Sequence, residues 1–228
     1  MSKKAIIIYG PPGAGKNTQA ELISGKFGLI HFQTGPYIER LVHSEEAEKS
    51  PILKREQKLF DTGMLTTPSW VLAIVKKATK MIAKSGFGII YSGSPRTIFE
   101  AFGDEKNEGL ISFLEKTFGR ENIHIIEINI SGKISVERNS KRLVCSVCDL
   151  PVLVANSKRC PFCFGPPRKR ILDDSKIIKI RLLEYKNRTH PIIEKLKERG
   201  YGVISVSGAP PPYKVFRTIS EKLNRPAT

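Results

Sequence analysis

Long apolar runs are missing from this chain. None approaches the roughly 18–20 consecutive residues that a membrane-spanning helix needs, so no membrane partner is expected. A secretory leader is missing as well: Met1-Ser2-Lys3-Lys4 runs straight into a β-like stretch, with no apolar core or cleavage site before it. The expected compartment is the cytoplasm. Cysteine is scarce, with four residues in 228, and in such a compartment disulfides are not expected. Internal repeats and low-complexity tracts are absent, which sets aside solenoids and disordered linkers. Acidic residues are few: 22 Asp and Glu face 38 Lys and Arg, a formal charge of +16. That balance suits a polyanionic partner, either nucleic acid or the phosphates of nucleotides. The surplus is scattered (Lys76, Lys77, Lys80, Lys84, Lys176, Lys179), so most of it reads as solvated surface, and nucleic acid is not the expected partner.

What is present is concentrated first at Gly10-Pro11-Pro12-Gly13-Ala14-Gly15-Lys16-Asn17-Thr18. This run follows a short apolar stretch, Ala5 to Tyr9, and leads into helical spacing over Thr18 to Phe27. Glycines let a loop wrap tightly enough for several backbone N–H groups to converge on one anion, and the following helix adds its dipole. The lysine then reaches the outer phosphates of a nucleoside triphosphate, and a hydroxyl meets the metal. The residue after the lysine is Asn17 rather than Ser or Thr, with Thr18 next.

Apolar, β-branched runs recur at Ala5–Tyr9, Gly88–Tyr91, Ile123–Ile130 and Gly202–Val206, with a shorter one at Leu29–Phe32. Helical periodicity fills the intervals: Pro68–Lys84, Leu110–Phe118, Gly132–Lys141, Ser175–Arg199 and Tyr213–Leu223. Alternating strands and helices predict an α/β fold with a five-stranded parallel sheet covered on both faces. A chain of this length buries about 70–75% of its unfolded surface, enough for one such domain with insertions. Two stretches break the alternation and read as insertions. Residues 34–65 carry two short helical segments without a strand, and residues 142–174 hold every cysteine.

Those cysteines form Cys145-Ser146-Val147-Cys148 and Cys160-Pro161-Phe162-Cys163, with eleven residues between the pairs. Two such knuckles place four thiolates at the corners of a tetrahedron, which fits a structural Zn²⁺ with a closed coordination sphere. Its task is to fold residues that lack a core of their own. Arginines flank this insertion. Arg138 and Arg142 lie four apart on one helical face entering it, Arg170 leaves it, and Arg181 follows early in the next helix. Arg96 sits after the Ser92-Gly93-Ser94-Pro95 turn, at the carboxyl end of a strand where open α/β sheets bind ligands. Phosphoryl transfer needs such a cage of cations around the loop lysine.

With these motifs in place, the chain resembles the adenylate kinases of the long type with a zinc-bearing lid. The likeness runs through Gly10 to Ala20, Thr34-Gly35, Asp61 to Thr67, Gly93 to Thr97, Arg138, Arg142, Arg170 with Asp173 and Asp174, and Arg181 to Tyr185. The resemblance implies a core over residues 1–33, 66–137 and 176–228, an NMP-binding insertion over 34–65 and a lid over 138–175. It implies the Mg²⁺-dependent reaction ATP + AMP ⇌ 2 ADP, a monomer, and a cis bond between Ser94 and Pro95. Lys16, Arg96, Arg142 and Arg181 are then the catalytic set. Gly10, Gly13, Ala14, Gly15, Asn17, Thr18 and Arg138 join Lys16 and Arg142 on ATP. Thr34, Gly35, Arg40, Gly93, Glu100 and Arg170 join Arg96 and Arg181 on AMP.

Several positions depart from the family's pattern. Asn17 replaces a glycine, and Pro36 replaces an aspartate. Ser92 stands where the family carries the aspartate that orients the waters of magnesium. Glu39 falls where an arginine is expected, with Arg40 one step along and about 100° around the helix. Glu100 replaces a glutamine that reads adenine. A carboxylate suits guanine's N1–H and N2–H₂ better, which keeps GMP open as an acceptor. Two other classes also stay open: a basic zinc-ribbon protein that binds nucleic acid, and a nucleotide binder without turnover.

Overall fold

The computed structural model describes residues 3–152 and 157–224. Strand β1 (Ala5–Tyr9) enters the glycine-rich loop and then helix α1 (Lys16–Phe27), which leads to β2 (Leu29–Phe32). The first insertion contains three short helices, α2 (Thr34–Val42), α3 (Glu45–Lys49) and α4 (Pro51–Asp61), where periodicity gave two. The extra break comes at Ser50-Pro51: proline disfavours helix at the residue before it and is at home in a first turn, and Ser50 Oγ caps α4 by accepting from Leu53 N–H. Helix α5 (Pro68–Lys84) returns to β3 (Gly88–Tyr91). Then come α6 (Ile98–Phe102), α7 (Leu110–Phe118) and β4 (Ile123–Asn129), the five-residue α6 being too short to leave a periodic signal.

Helix α8 (Gly132–Lys141) opens the second insertion, whose strands are β5 (Leu143–Cys145), β6 (Pro151–Val152) and β7 (Pro167–Arg168). The single helix expected over Ser175–Arg199 is α9 (Ser175–Glu184), a π-turn over Tyr185–Thr189 and α10 (His190–Glu198). Pro191 explains the interruption, because it supplies no N–H to the turn before it. Strand β8 (Val203–Ser207) and α11 (Pro212–Leu223) complete the described chain.

All five core strands are parallel, in the order β2-β3-β1-β4-β8, as the alternation predicts. Alternate side chains feed two cores, one on each face. Ala5, Ile7, Tyr9, Ile89 and Tyr91 pack with Val71, Val75, Ile111, Leu114, Ile192 and Leu196. Ile6, Ile8, Ile90, Ile126 and Ile128 pack on the other face with Ala20 and Ile23 of α1 and Val215 and Ile219 of α11. A period of two with both phases apolar is what double-sided burial requires. The sheet therefore leaves only its carboxyl edge free for chemistry. No described helix is long and apolar enough to cross a membrane.

Candidate active site

The glycine-rich loop hangs from the carboxyl end of β1, and its shape depends on glycine at defined points. Gly15 caps α1 in the left-handed region at φ 92°. At Gly13 (φ 78°), a Cβ would stand 2.6 Å from Asn139 Nδ2. Helix α8 backs the loop at that point: Ser135 Oγ donates to Pro12 O at 2.6 Å, and Asn139 Nδ2 donates to Ser135 O at 2.7 Å. Lys16 turns inward and donates to Gly10 O at 2.7 Å and Pro11 O at 2.9 Å. Arg138 donates to Gly208 O and Ala209 O at 2.8 and 3.0 Å, which ties α8 to the segment after β8. Gly13, Lys16, Arg138 and Asn139 line a cleft of about 780 Å³ that also takes in Arg96, Arg142, Arg170 and Arg181.

The second wall is the turn after β3. Its Ser94–Pro95 peptide is cis, as expected. Arg96 Nε donates to Gly93 O at 2.9 Å, and Gly93 packs against Thr34 and Gly35 at the start of α2. Thr34 Oγ1 is buried without a partner among the described residues. From the lid side, Arg142 holds Asp173 bidentately at 2.9 and 2.5 Å, and Arg181 donates to Leu172 O at 3.0 Å with Asp173 3.7 Å away. Asp173 is thus a shared anchor of two cage arginines; only the resemblance carried it in the sequence, and no role went with it.

Burial of so many cations has an electrostatic signature. Lys16 is pushed well below the usual lysine value, first by burial and then by Arg96, Arg181 and Arg142. Arg181 is brought down to about 9 by burial and by Arg96, Arg142 and Arg170. Arg96 is lowered for the same leading reason. Packing like charges together is unfavourable by itself. A polyanion in the cleft reverses the sign, so the arrangement is tuned to phosphate.

Not every sequence-selected residue joins the cleft. Arg40 does not line the cleft; its side chain is 68% exposed and stands 3.6 Å from Asp149 at the rim. Glu39 faces inward instead, where its carboxylate accepts from Arg170 Nη2 at 2.6 Å. Glu100 closes its own turn: it accepts from Arg96 N–H at 3.0 Å and Thr97 Oγ1 at 3.0 Å, and Thr97 Oγ1 accepts from Glu100 N–H. This is a reciprocal cap on α6. Sequence reasoning also missed His31, whose ring links Glu21 Oε2 at 2.9 Å to Ser92 Oγ at 2.8 Å. An isolated histidine in a strand gives no signal of such a chain. Burial lowers the His31 pKa against the opposing pull of Glu21, so the neutral ring is favoured.

Glu100 yields a stability prediction. Burial pushes its carboxyl up to about 6, above the ordinary 4.5, despite the helping Arg96 and Thr97 bonds. Folding then favours the protonated form. The charged form costs stability at neutral pH, and the cost disappears as pH falls through about 6 to below 4.5. Glu100→Gln keeps an acceptor for Arg96 N–H and is expected to raise Tm by about 5 °C at pH 8, from roughly 2 kcal/mol. Scanning fluorimetry should show the gap closing by pH 4.5; a gap independent of pH refutes this account.

In the second insertion, β5 is the middle strand of a three-stranded antiparallel sheet, β6-β5-β7. All four Sγ atoms lie within 4.8 Å of one another, with Cys145–Cys163 at 3.4 Å and Cys148–Cys160 at 3.7 Å. A tetrahedral zinc with bonds of about 2.3 Å requires sulfur separations of about 3.8 Å, so the cluster has the right size. Backbone N–H groups of Cys148 and Val147 bring the Cys145 thiol down to about 6, which favours the thiolate a metal needs.

The hard-cation donors are hydroxyl and amide oxygens. Thr18, Asn17 and Gln33 line the cleft beside Lys16, a set that suits Mg²⁺ rather than a soft metal.

Comparison with known proteins matches this geometry. The profile of the family described as adenylate kinase covers residues 8–201. An adenylate kinase of Clostridium botulinum (strain Langeland) is 32% identical over 226 residues, covering 96% of this chain and 98% of its own. One from Elusimicrobium minutum is 30% identical over 222 residues, again 96% and 98%. One from Clostridium tetani is 29% identical over 224 residues, 96% and 97%. A glycine-rich loop at the carboxyl edge of a five-stranded parallel sheet, a cage of half-buried cations and near full-length likeness agree: the chain belongs to the adenylate kinase family and is a nucleoside monophosphate kinase.

Proposed function

We propose that this chain catalyses ATP + AMP ⇌ 2 ADP, with the triphosphate on the loop of residues 10–18 and the monophosphate between Thr34-Gly35 and the turn at Gly93–Arg96. The observation that carries the reading is the set of half-buried, mutually repelling cations Lys16, Arg96 and Arg181, all lining one cleft. The loop N–H groups of Gly10, Gly13, Ala14 and Gly15 receive the donor's phosphates. Arg138 sits at the donor's outer end. Lys16, Arg142 and Arg181 neutralise the charge that spreads over the moving phosphoryl group, while Arg96 and Arg170 hold the acceptor's phosphate. Thr18, Asn17 and Gln33 would hold Mg²⁺, which would offset the negative charge of the phosphates. Zn²⁺ on Cys145, Cys148, Cys160 and Cys163 would brace the lid, and the lid would close residues 138–175 over the site to exclude water. The proposed setting is a cytoplasmic monomer with no membrane or nucleic-acid partner.

AMP is the preferred acceptor in this reading. The guanine alternative rested on a free Glu100 carboxylate, and that carboxylate is occupied by Arg96 N–H and Thr97. Initial rates with AMP, GMP, CMP and UMP at fixed Mg-ATP should favour AMP by at least about tenfold, the size of one well-placed hydrogen-bond difference at the base. Higher kcat/KM with GMP overturns the assignment.

A further inference from the structure

The cleft gathers cationic donors: Lys16, Arg96, Arg138, Arg142, Arg170 and Arg181 all line it. Its lining carboxylates are already bonded to cations: Glu39 to Arg170 at 2.6 Å, Glu137 to Lys141 at 2.9 Å and Asp149 to Arg168 at 3.1 Å. Phosphates are well served by these donors, while the hydrated cation that travels with them has the opposite requirement. Its coordinated waters donate, so they need acceptors.

One side chain at the loop is held as an acceptor by its surroundings. Ser92 follows β3, is 4% exposed, and lines the cleft with Asn17 and Thr18. The sheet register sets His31 opposite Ile90, so Ser92, two residues on, falls on the same face as His31. That face packs on α1, and Glu21 of α1 reaches the ring from there. The bonding sequence is therefore Glu21 Oε2, His31 Nδ1 at 2.9 Å, His31 Nε2, Ser92 Oγ at 2.8 Å. A carboxylate only accepts, so Nδ1 carries the hydrogen; in the neutral ring Nε2 is then bare and takes the hydrogen of Ser92. The serine oxygen retains lone pairs alone.

We propose that the Glu21–His31–Ser92 chain fixes Ser92 Oγ as an acceptor at the triphosphate loop, and that this acceptor positions a water in the hydration shell of the nucleotide's divalent cation. The proposal rests on the functional reading above. Ser92 is a positioning residue, as are His31 and Glu21 through it. The chain makes an uncharged hydroxyl do what a carboxylate does by nature: accept and not donate.

The test is calorimetric binding of a non-hydrolysable ATP analogue, with excess Mg²⁺ and in EDTA, to wild type, Ser92→Ala, Ser92→Asp, His31→Phe and the conservative Glu21→Gln. Wild type should bind more tightly with Mg²⁺. In Ser92→Ala and His31→Phe the EDTA affinity should stay within about twofold of wild type, while the gain from Mg²⁺ falls about tenfold, the worth of one hydrogen bond to a charged cluster. Ser92→Asp should retain the gain, and Glu21→Gln should lose part of it. Affinities that fall together in both buffers make the chain a structural brace and overturn the proposal, as does an unchanged Mg²⁺ gain in every variant. A phosphoryl group found on Ser92 by mass spectrometry after incubation with Mg-ATP overturns it too, since the chain then activates a nucleophile. Wild type that binds no nucleotide in either buffer refutes the functional reading, and the proposal with it.

Discussion

Replacing Arg142 with alanine is expected to lower kcat by about 10³-fold or more, the loss seen when an arginine that meets a transferring phosphoryl group is removed. The expectation follows from position. Arg142 ends α8, where the chain leaves the core for the lid, and its two bonds to Asp173 fix the guanidinium in the cleft beside Arg181. The same geometry limits the structural damage. Asp173 is 8% exposed and keeps Arg181 at 3.7 Å when Arg142 is gone. Loss of one charge-assisted pair should cost about 1–3 kcal/mol locally, far less than the catalytic loss of ~4 kcal/mol. Arg142→Lys should not rescue turnover, because an ammonium cannot hold Asp173 and phosphate with one planar fork. Steady-state kinetics alongside thermal melts check both halves. A kcat within tenfold of wild type would show that Arg142 does not meet the moving group.

Removing the metal from the lid should have the second largest effect. The lid has little else to hold it: β5 pairs through Leu143 and Val144 on one side and Val144 and Cys145 on the other. Its buried apolar cluster is Cys145, Val152 and Cys160, two of which are proposed metal ligands. Structural zinc contributes on the order of 10 kcal/mol to small folds of this kind, more than such a cluster supplies. The native protein is expected to hold one zinc per chain. The Cys160→Ser/Cys163→Ser variant should hold none and lose at least about 100-fold in kcat, because Arg142 and Arg170 bracket the unfolded segment. Hydrogen exchange locates the damage: amides of residues 143–152 and 157–168 should lose protection, while β1 and β4 keep theirs. Full protection in the metal-free lid contradicts this role.

The sequence was most legible where one physical requirement dominated. Strands buried on both faces must be largely apolar; Ala5–Tyr9 is so throughout and Ile123–Asn129 is at four of its seven positions, and the sheet followed from that. The loop and the four cysteines were legible because anion capture and tetrahedral ligation dictate spacing as well as residue type. Boundaries set by a single local event were harder. Ser50-Pro51 divides the first insertion into a third helix, and Pro191 interrupts the long helix after the lid.

Side-chain pairing was the least legible level. Glu39 and Arg40 are neighbours, and only the orientation of α2 decides that Glu39 meets Arg170 while Arg40 faces Asp149. Glu100 has the composition of a base-reading residue, yet Thr97 three positions earlier makes it a cap. That S/T-x-x-E spacing was visible in the sequence and is the signal that could have found it. The Glu21–His31–Ser92 chain joins three elements separated by up to 71 residues, and nothing local announces it.

Phosphoryl transfer between two nucleotides in one cleft of half-buried cations fixes the stoichiometry of the products. Chromatographic quantification of ATP, AMP, ADP and inorganic phosphate over time tests it most directly. The account predicts two ADP formed per AMP consumed, no phosphate release, and no ADP when either AMP or Mg²⁺ is withheld. ADP and phosphate accumulating at the same rate without AMP would contradict it, as would an absence of ADP with both substrates present.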